Sequence, residues 1–167
     1  MFCSVIIPTI GRKTLTRAVH SVLEQNFNKD TYEIIVVNDS GKRLSLQSWQ
    51  ESPIVCLVET NQRERCIARN TGAAISRGKY LLFLDDDDWL LPNALETLWD
   101  LATSSNSVWL YGGYQLVDSQ ANKFTDFQPN EVGNCFIRFL SGEWLPLQSS
   151  IINSQVFFKV GGFASLE

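Results

Sequence analysis

The 167 residues contain one histidine, one methionine and four scattered cysteines, and each scarcity excludes a class of chemistry. His20 sits alone in a helix-like stretch and reads as structural, which argues against histidine-based nucleophilic catalysis. Cys3, Cys56, Cys66 and Cys135 lack the close pairs of a zinc site or a secreted disulfide scaffold. A reducing cytoplasm, the inner face of a membrane included, is their simplest home. No apolar stretch reaches the ~18 residues of a membrane span, and Met1-Phe2-Cys3 leads into a strand-like run without a basic leader. Basic runs are missing too, and the net charge of −4 makes a nucleic-acid backbone a poor partner. Phosphates can be held only where arginine or lysine is concentrated locally.

What is present is ordinary globular material, 44% hydrophobic and 19% charged, enough for one domain over 1–167. Four runs rich in Val, Ile, Leu and Phe read as strands: Cys3–Pro8, Glu33–Asn38, Ile54–Glu59 and Tyr80–Asp85. Their continuity predicts burial on both faces. Between them Leu15, Ala18, Val19, Val22 and Leu23 recur at helical spacing, as do Ile67, Ala68, Ala74 and Ile75, with Gly78 as the expected stop. A third helix is expected from near Pro92, carrying Leu95, Leu98 and Leu101. This alternation predicts an α/β fold with a mostly parallel central sheet flanked by helices. The second half predicts a strand over Val108–Val117, a polar turn, a returning strand at Lys123–Phe127 and a helix around Val132–Leu140. A short strand at Ser149–Ile152 and a helix at Ser154–Val160 follow.

Three of the early strands end in special residues: Pro8-Thr9 with Gly11-Arg12, Asn38-Asp39-Ser40-Gly41, and Asp85-Asp86-Asp87-Asp88. Ligands of open α/β sheets sit beyond the carboxyl ends of the strands, so these segments should meet at one edge. Four adjacent carboxylates raise one another's pKa and strain the fold unless a cation or dipole offsets them. The dipole of the following helix is worth about 0.3–1 kcal/mol per carboxylate, too little for four. An EF-hand is excluded because its glycine and late glutamate are missing at the right spacing. A divalent ion held by one or two carboxylates plus substrate phosphates fits better. Asp39 reads either as a turn residue or as a hydrogen-bond acceptor for a ligand. Arg63, Arg65 and Arg69 read either as an exposed helix face with ordinary ion pairs or as partners of a diphosphate, whose oxygens suit the guanidinium fork.

Ser4-Val5-Ile6-Ile7-Pro8-Thr9, Glu33-Ile34-Ile35-Val36-Val37-Asn38-Asp39-Ser40, Ala68-Arg69-Asn70-Thr71-Gly72 and Phe83-Leu84-Asp85-Asp86-Asp87-Asp88 together resemble family 2 glycosyltransferases of the GT-A fold, in order and spacing, over nearly the whole chain. The resemblance implies a Rossmann-like sheet, a nucleotide-sugar donor, with UDP the commonest carrier, and hexosyl transfer with inversion to a saccharide or other hydroxyl. Pro8 and Thr9 would line the nucleotide pocket and Asp39 would accept from the base. Asp85 and Asp86 would lie near ribose and sugar, and Asp87, in the DXD position, would bind Mn2+ or Mg2+. Arg69 and Asn70 match a pair in the family's helix, and Arg65 is a further diphosphate contact. Residues 1–105 would be the nucleotide-binding half and 106–167 the start of the acceptor half.

Asn38 stands where relatives often carry a second acid, and is expected to alter base recognition. Ile10-Gly11 replaces the usual Tyr-Asn. Val160-Gly161-Gly162-Phe163 resembles the segment preceding an acidic pair that contains the general base, so that base is expected beyond Glu167 and the chain reads as the N-terminal part of a longer enzyme. A non-catalytic nucleotide-sugar-binding domain is the alternative. A sugar-1-phosphate nucleotidyltransferase would need a glycine-rich phosphate loop that Pro8-Thr9-Ile10-Gly11-Arg12 does not supply. A receiver or phosphatase domain would carry a lone aspartate in place of the dense run. Acceptor choice is expected to involve the loop at Glu143-Trp144-Leu145-Pro146.

Overall fold

The computed structural model describes residues 1–164 apart from 119, 131, 136, 138, 139, 143 and 144. Its central sheet has six strands: β1 (Cys3–Thr9), β2 (Tyr32–Asn38), β3 (Val55–Glu59), β4 (Tyr80–Phe83), β5 (Trp109–Tyr111) and β8 (Ser150–Asn153), in the order β3-β2-β1-β4-β8-β5. The β3, β2, β1 and β4 strands run parallel, while β8 pairs antiparallel with β4 and β5. The expected mostly parallel α/β sheet is therefore what forms. A two-stranded antiparallel ribbon, β6 (Tyr114–Val117) with β7 (Lys123–Phe127), stands apart from it.

The period of two in β1 explains the layers. Val5 and Ile7 pack on one face with Val19 and Val22 of α1 (Leu15–Leu23) and Leu95 and Leu98 of α3 (Ala94–Ser104). Ile6 packs on the other face with Ala68 and Ala73 of α2 (Arg65–Ala74) and Phe157 of α4 (Ser154–Lys159). Each Val, Ile or Leu among them contributes about 1.5–3 kcal/mol when fully buried.

Four expectations change. β3 is apolar in sequence but half exposed, because it is the edge strand and only one side of it pairs. The run Val108–Val117 is two strands in two sheets, broken at Gly112-Gly113, where a β-carbon on Gly113 would come within 2.9 Å of the Phe127 carbonyl oxygen. Gly78 does not cap α2, which ends at Ala74 with Ile75 as its C-cap. It lies under β1, where a β-carbon would sit 2.4 Å from the Ser4 amide nitrogen. Pro92 precedes α3, whose N-cap is Asn93 at φ +63°, a left-handed conformation that asparagine tolerates better than most residues. Of the helix expected around Val132–Leu140, residues 132–135 are not helical, Ile137 and Leu140 are, and 136, 138 and 139 lie outside the described residues.

Candidate functional site

The carboxyl ends of β1, β2 and β4 and the start of α2 enclose a cleft of about 400 Å³. Pro8, Thr9, Asp39, Arg65, Arg69, Asp85 and Asp86 all line it, together with Arg12, Arg63 and Glu64. Segments separated by up to 77 residues thus meet at one edge, as the strand endings predict. Four arginines face four acids there, so the cleft is strongly polar without a large excess of either charge.

The aspartates are not equivalent. Asp86 is only 2% exposed; its carboxylate accepts from Thr9 Oγ1 at 2.5 Å and from Arg12 Nη1 at 2.8 Å. Gly11, at φ +84°, turns the chain so that its amide donates to Thr9 Oγ1 and Arg12 can reach back. The same Arg12 nitrogen donates to Asp87 Oδ2 at 3.0 Å, and the nearby Asp86 and Asp87 charges hold the guanidinium even more firmly protonated. Asp85 accepts from Arg69 Nη2 at 2.5 Å and from Gln148 Nε2 at 2.6 Å. Burial, reinforced by Asp87 and Asp85, pushes the Asp88 carboxyl up to about 6. α3 begins only at Ala94, so its dipole, which fades within one turn, does not account for the run.

Asp85, Asp87 and Asp88 offer carboxylate oxygens within 4.8 Å of one another, the one group of three potential metal ligands among the described residues. An all-oxygen, all-carboxylate set suits a hard divalent cation such as Mg2+ or Mn2+, and a carboxylate that accepts two hydrogen bonds, as Asp85 does, still has lone pairs to offer. The residues present therefore fit such an ion.

Asp39 is 3% exposed and organises the opposite wall. Its Oδ1 accepts from Thr60 Oγ1 at 2.7 Å and from the Gln62 amide at 2.8 Å, and its Oδ2 from the Glu64 amide at 2.6 Å. Burial alone would raise its pKa, but these donors outweigh it and hold the carboxyl below the usual range. The loop so gripped contains Arg63 at φ +53° and leads into α2, whose N-cap Glu64 accepts from the Cys66 and Ile67 amides.

Asn70, expected at the donor, and Asn38, expected to alter base recognition, make hydrogen bonds of their own. Asn70 does not line the cleft: its amide donates to the Phe163 carbonyl at 2.8 Å and accepts from the Phe163 amide at 3.0 Å, fastening α2 to the C-terminal turn. Asn38 is spent on its own turn, donating to the Lys42 carbonyl and accepting from Ser40. His20 pairs loosely with Glu24 at 3.6 Å on α1, as a structural residue would. Glu143 and Trp144 lie outside the described residues. Arg12 and Gln148 carry more than the sequence discloses. Arg12 could have been found from its place after the turn glycine of β1. Gln148 has no local signal, because only the insertion of β8 beside β4 brings it there.

The sequence profile of glycosyl transferase family 2 matches residues 4–166, nearly the whole chain. The chain belongs to glycosyl transferase family 2. This family member is 33% identical over 117 residues to the poly(ribitol-phosphate) beta-N-acetylglucosaminyltransferase TarP of Staphylococcus aureus strain N315, covering 66% of this chain and 36% of that protein. It is 26% identical over 122 residues to the Escherichia coli UDP-Glc:alpha-D-GlcNAc-diphosphoundecaprenol beta-1,3-glucosyltransferase WfgD, covering 71% of this chain and 47% of the relative. The chain thus spans half or less of the length of both. Among solved structures, S. aureus TarS 1-349 in complex with UDP-GlcNAc superposes with a TM-score of 0.73 at 17% identity, over 99% of this chain and 49% of that one. At that identity the likeness shows the shared GT-A-type fold. No helix among the described residues is long and apolar enough to cross a membrane.

Proposed function

We propose that this chain carries the donor half of an inverting glycosyl transfer from a nucleoside-diphosphate sugar, UDP-linked, to an acceptor hydroxyl, assisted by Mn2+ or Mg2+ bound chiefly through Asp87. The observation that carries the reading is the cleft in which Arg12, Arg63, Arg65 and Arg69 face Asp39, Asp85 and Asp86 beside a carboxylate cluster. Arginine forks match diphosphate oxygens, and a preorganised ring of them stabilises the charge that grows on the leaving group.

In this reading Pro8 and Thr9 floor the nucleotide pocket, and Asp39 accepts from the base. Arg65 and Arg69 hold the diphosphate, while Asp85 and Asp86 approach ribose and sugar. Asp87, with Asp85 and Asp88, would hold the ion, which when bound acts as a Lewis acid toward the departing diphosphate. The acceptor oxygen bonds to the anomeric carbon as the carbon–oxygen bond to the diphosphate breaks, through an oxocarbenium-like transition state, and the hydroxyl proton passes to a general base. None of the described residues is assigned that last role. Asn70 supports the site from behind by holding the Phe163 turn, and Asn38 by shaping the turn beside Asp39. Free thiols on all four cysteines fit a reducing compartment such as the cytoplasm.

Calorimetric titration of UDP, GDP and dTDP with and without Mn2+ tests this. UDP should bind in a metal-dependent manner, at least tenfold more weakly in Asp87→Ala, as metal-site substitutions commonly do. Equal binding with and without metal, or no binding of any nucleotide, would sink the proposal.

A further inference from the structure

A second cavity, about 360 Å³, lies on the other side of the aspartate run. Its walls come from the segment Asp88–Pro92, one face of α3, the start of the β6 ribbon and the turn before β8. The two cavities share a partition: Gln148 lines this one, Asp85 lines the cleft, and the 2.6 Å hydrogen bond between them joins the two walls. Asp88 belongs both to this wall and to the carboxylate cluster.

The chemistry of the lining is unlike that of the cleft. Leu91, Leu101 and Leu116, 39%, 38% and 42% exposed, are large apolar side chains held at the surface, and all three converge here. Among the described lining residues Asp88 is the only charged one, and none is Lys or Arg. The described lining residues therefore offer an anionic ligand no cationic side chain to pair with. An uncharged ligand with an apolar body would remove leucine surface from water and leave its polar end beside Asp88 and Gln148. The volume falls within the roughly 300–1,000 Å³ of small-molecule sites.

We propose that this cavity docks the acceptor, and that the acceptor is an uncharged saccharide carrying an apolar aglycone, its hydroxyl presented past Asp88 and Gln148 toward the donor cleft. The inference rests on the transferase reading above and adds the class of acceptor. It also separates this chain from a polyanionic acceptor such as the one in the name of TarP.

The probe is octyl β-D-glucopyranoside below its micelle concentration, titrated calorimetrically into the whole chain, with methyl β-D-glucopyranoside and ribitol 5-phosphate for comparison. Leu101→Glu and Leu116→Glu change the lining at positions exposed enough to tolerate the charge, and UDP with Mn2+ is titrated into every protein. The octyl glycoside should bind one saturable site at least tenfold more tightly than the methyl glycoside. Both variants should weaken it at least tenfold, with UDP affinity unchanged and ribitol 5-phosphate silent. Ribitol 5-phosphate binding in place of the octyl glycoside overturns the proposal, as does octyl glycoside binding that is absent from the wild type or unmoved in both variants. Octyl glycoside binding that behaves as expected in a wild type that ignores UDP overturns the transferase reading, and with it the acceptor role.

Discussion

Buried carboxylates stand at both ends of the β1–β2–β4 layer, and they are treated differently. At the amino end Glu33 accepts from Ser4 Oγ, from the Arg77 amide and from two nitrogens of the Arg77 guanidinium, all between 2.7 and 2.8 Å. Ser4 Oγ in turn accepts from the Gly78 amide, and the network closes. At the carboxyl end Asp39, Asp85 and Asp86 are also hydrogen-bonded, yet Asp87 is half exposed, and burial, reinforced by the charges of Asp87 and Asp85, raises the Asp88 carboxyl. One end is a lock made of matched partners. At the other, Asp85, Asp87 and Asp88 crowd like charges together, a state that folding alone does not favour and that a bound cation would relieve.

Substitutions at the two ends should therefore have opposite signatures. The largest effect belongs to the closed end. Although burial would raise its pKa, bonds from Ser4 and Arg77 hold Glu33 below its ordinary 4.5. The stability it supplies is present above pH 4.5 and is lost as pH falls through the lowered folded value. Glu33→Gln should cost about 1–2 kcal/mol at pH 7. Its denaturation midpoint should vary less with pH below 4.5 than that of the wild type, and identical pH profiles would refute the closed network.

A smaller effect is expected where Arg12 bridges Asp86 and Asp87. Arg12→Ala removes a cation competing for Asp87, and should tighten Mn2+ binding alone on the order of fivefold, about 1 kcal/mol for a charge at 4 Å in water. UDP binding should weaken in the same protein, because a phosphate partner is gone. Parallel losses of both affinities would mean that Arg12 only positions the aspartates. The smallest effect is at Asp87 itself: Asp87→Asn, measured by urea denaturation without metal, should lie within about 0.5 kcal/mol of wild type, as exposed positions do. A loss of 2 kcal/mol there would show the open end to be as structural as the closed one.

The same contrast explains how much of the fold is legible in the sequence. The parallel core was legible because β1, β2 and β4 are buried on both faces and so carry unbroken apolar runs, and because polar residues cluster where those strands end. Edge position is invisible in such a run, which is why β3 looked like a central strand. The Gly112-Gly113 break is hard to read because flanking apolar residues continue on both sides while the chain changes sheets. The family resemblance pairs Asn70 with Arg69, and on a helix adjacent residues point about 100° apart. Only Arg69 reaches the cleft, and Asn70 turns to Phe163. The partner of Asp85, Gln148, comes from 63 residues away with no motif to mark it.

The strand order has a consequence for the order of assembly. β5 touches the sheet only through β8, which follows it far along the chain and lies between it and β4. The parallel strands can pair as they emerge, but β5 takes its place in the sheet only once residues 150–153 arrive to receive it. Closing that non-local pair carries the loop entropy that slows folding. The partition between the two cavities depends on the same late event, since Gln148 reaches Asp85 only when β8 docks. During synthesis the charged cleft can take shape early, whereas its wall toward the apolar cavity is among the last parts of the molecule to be set.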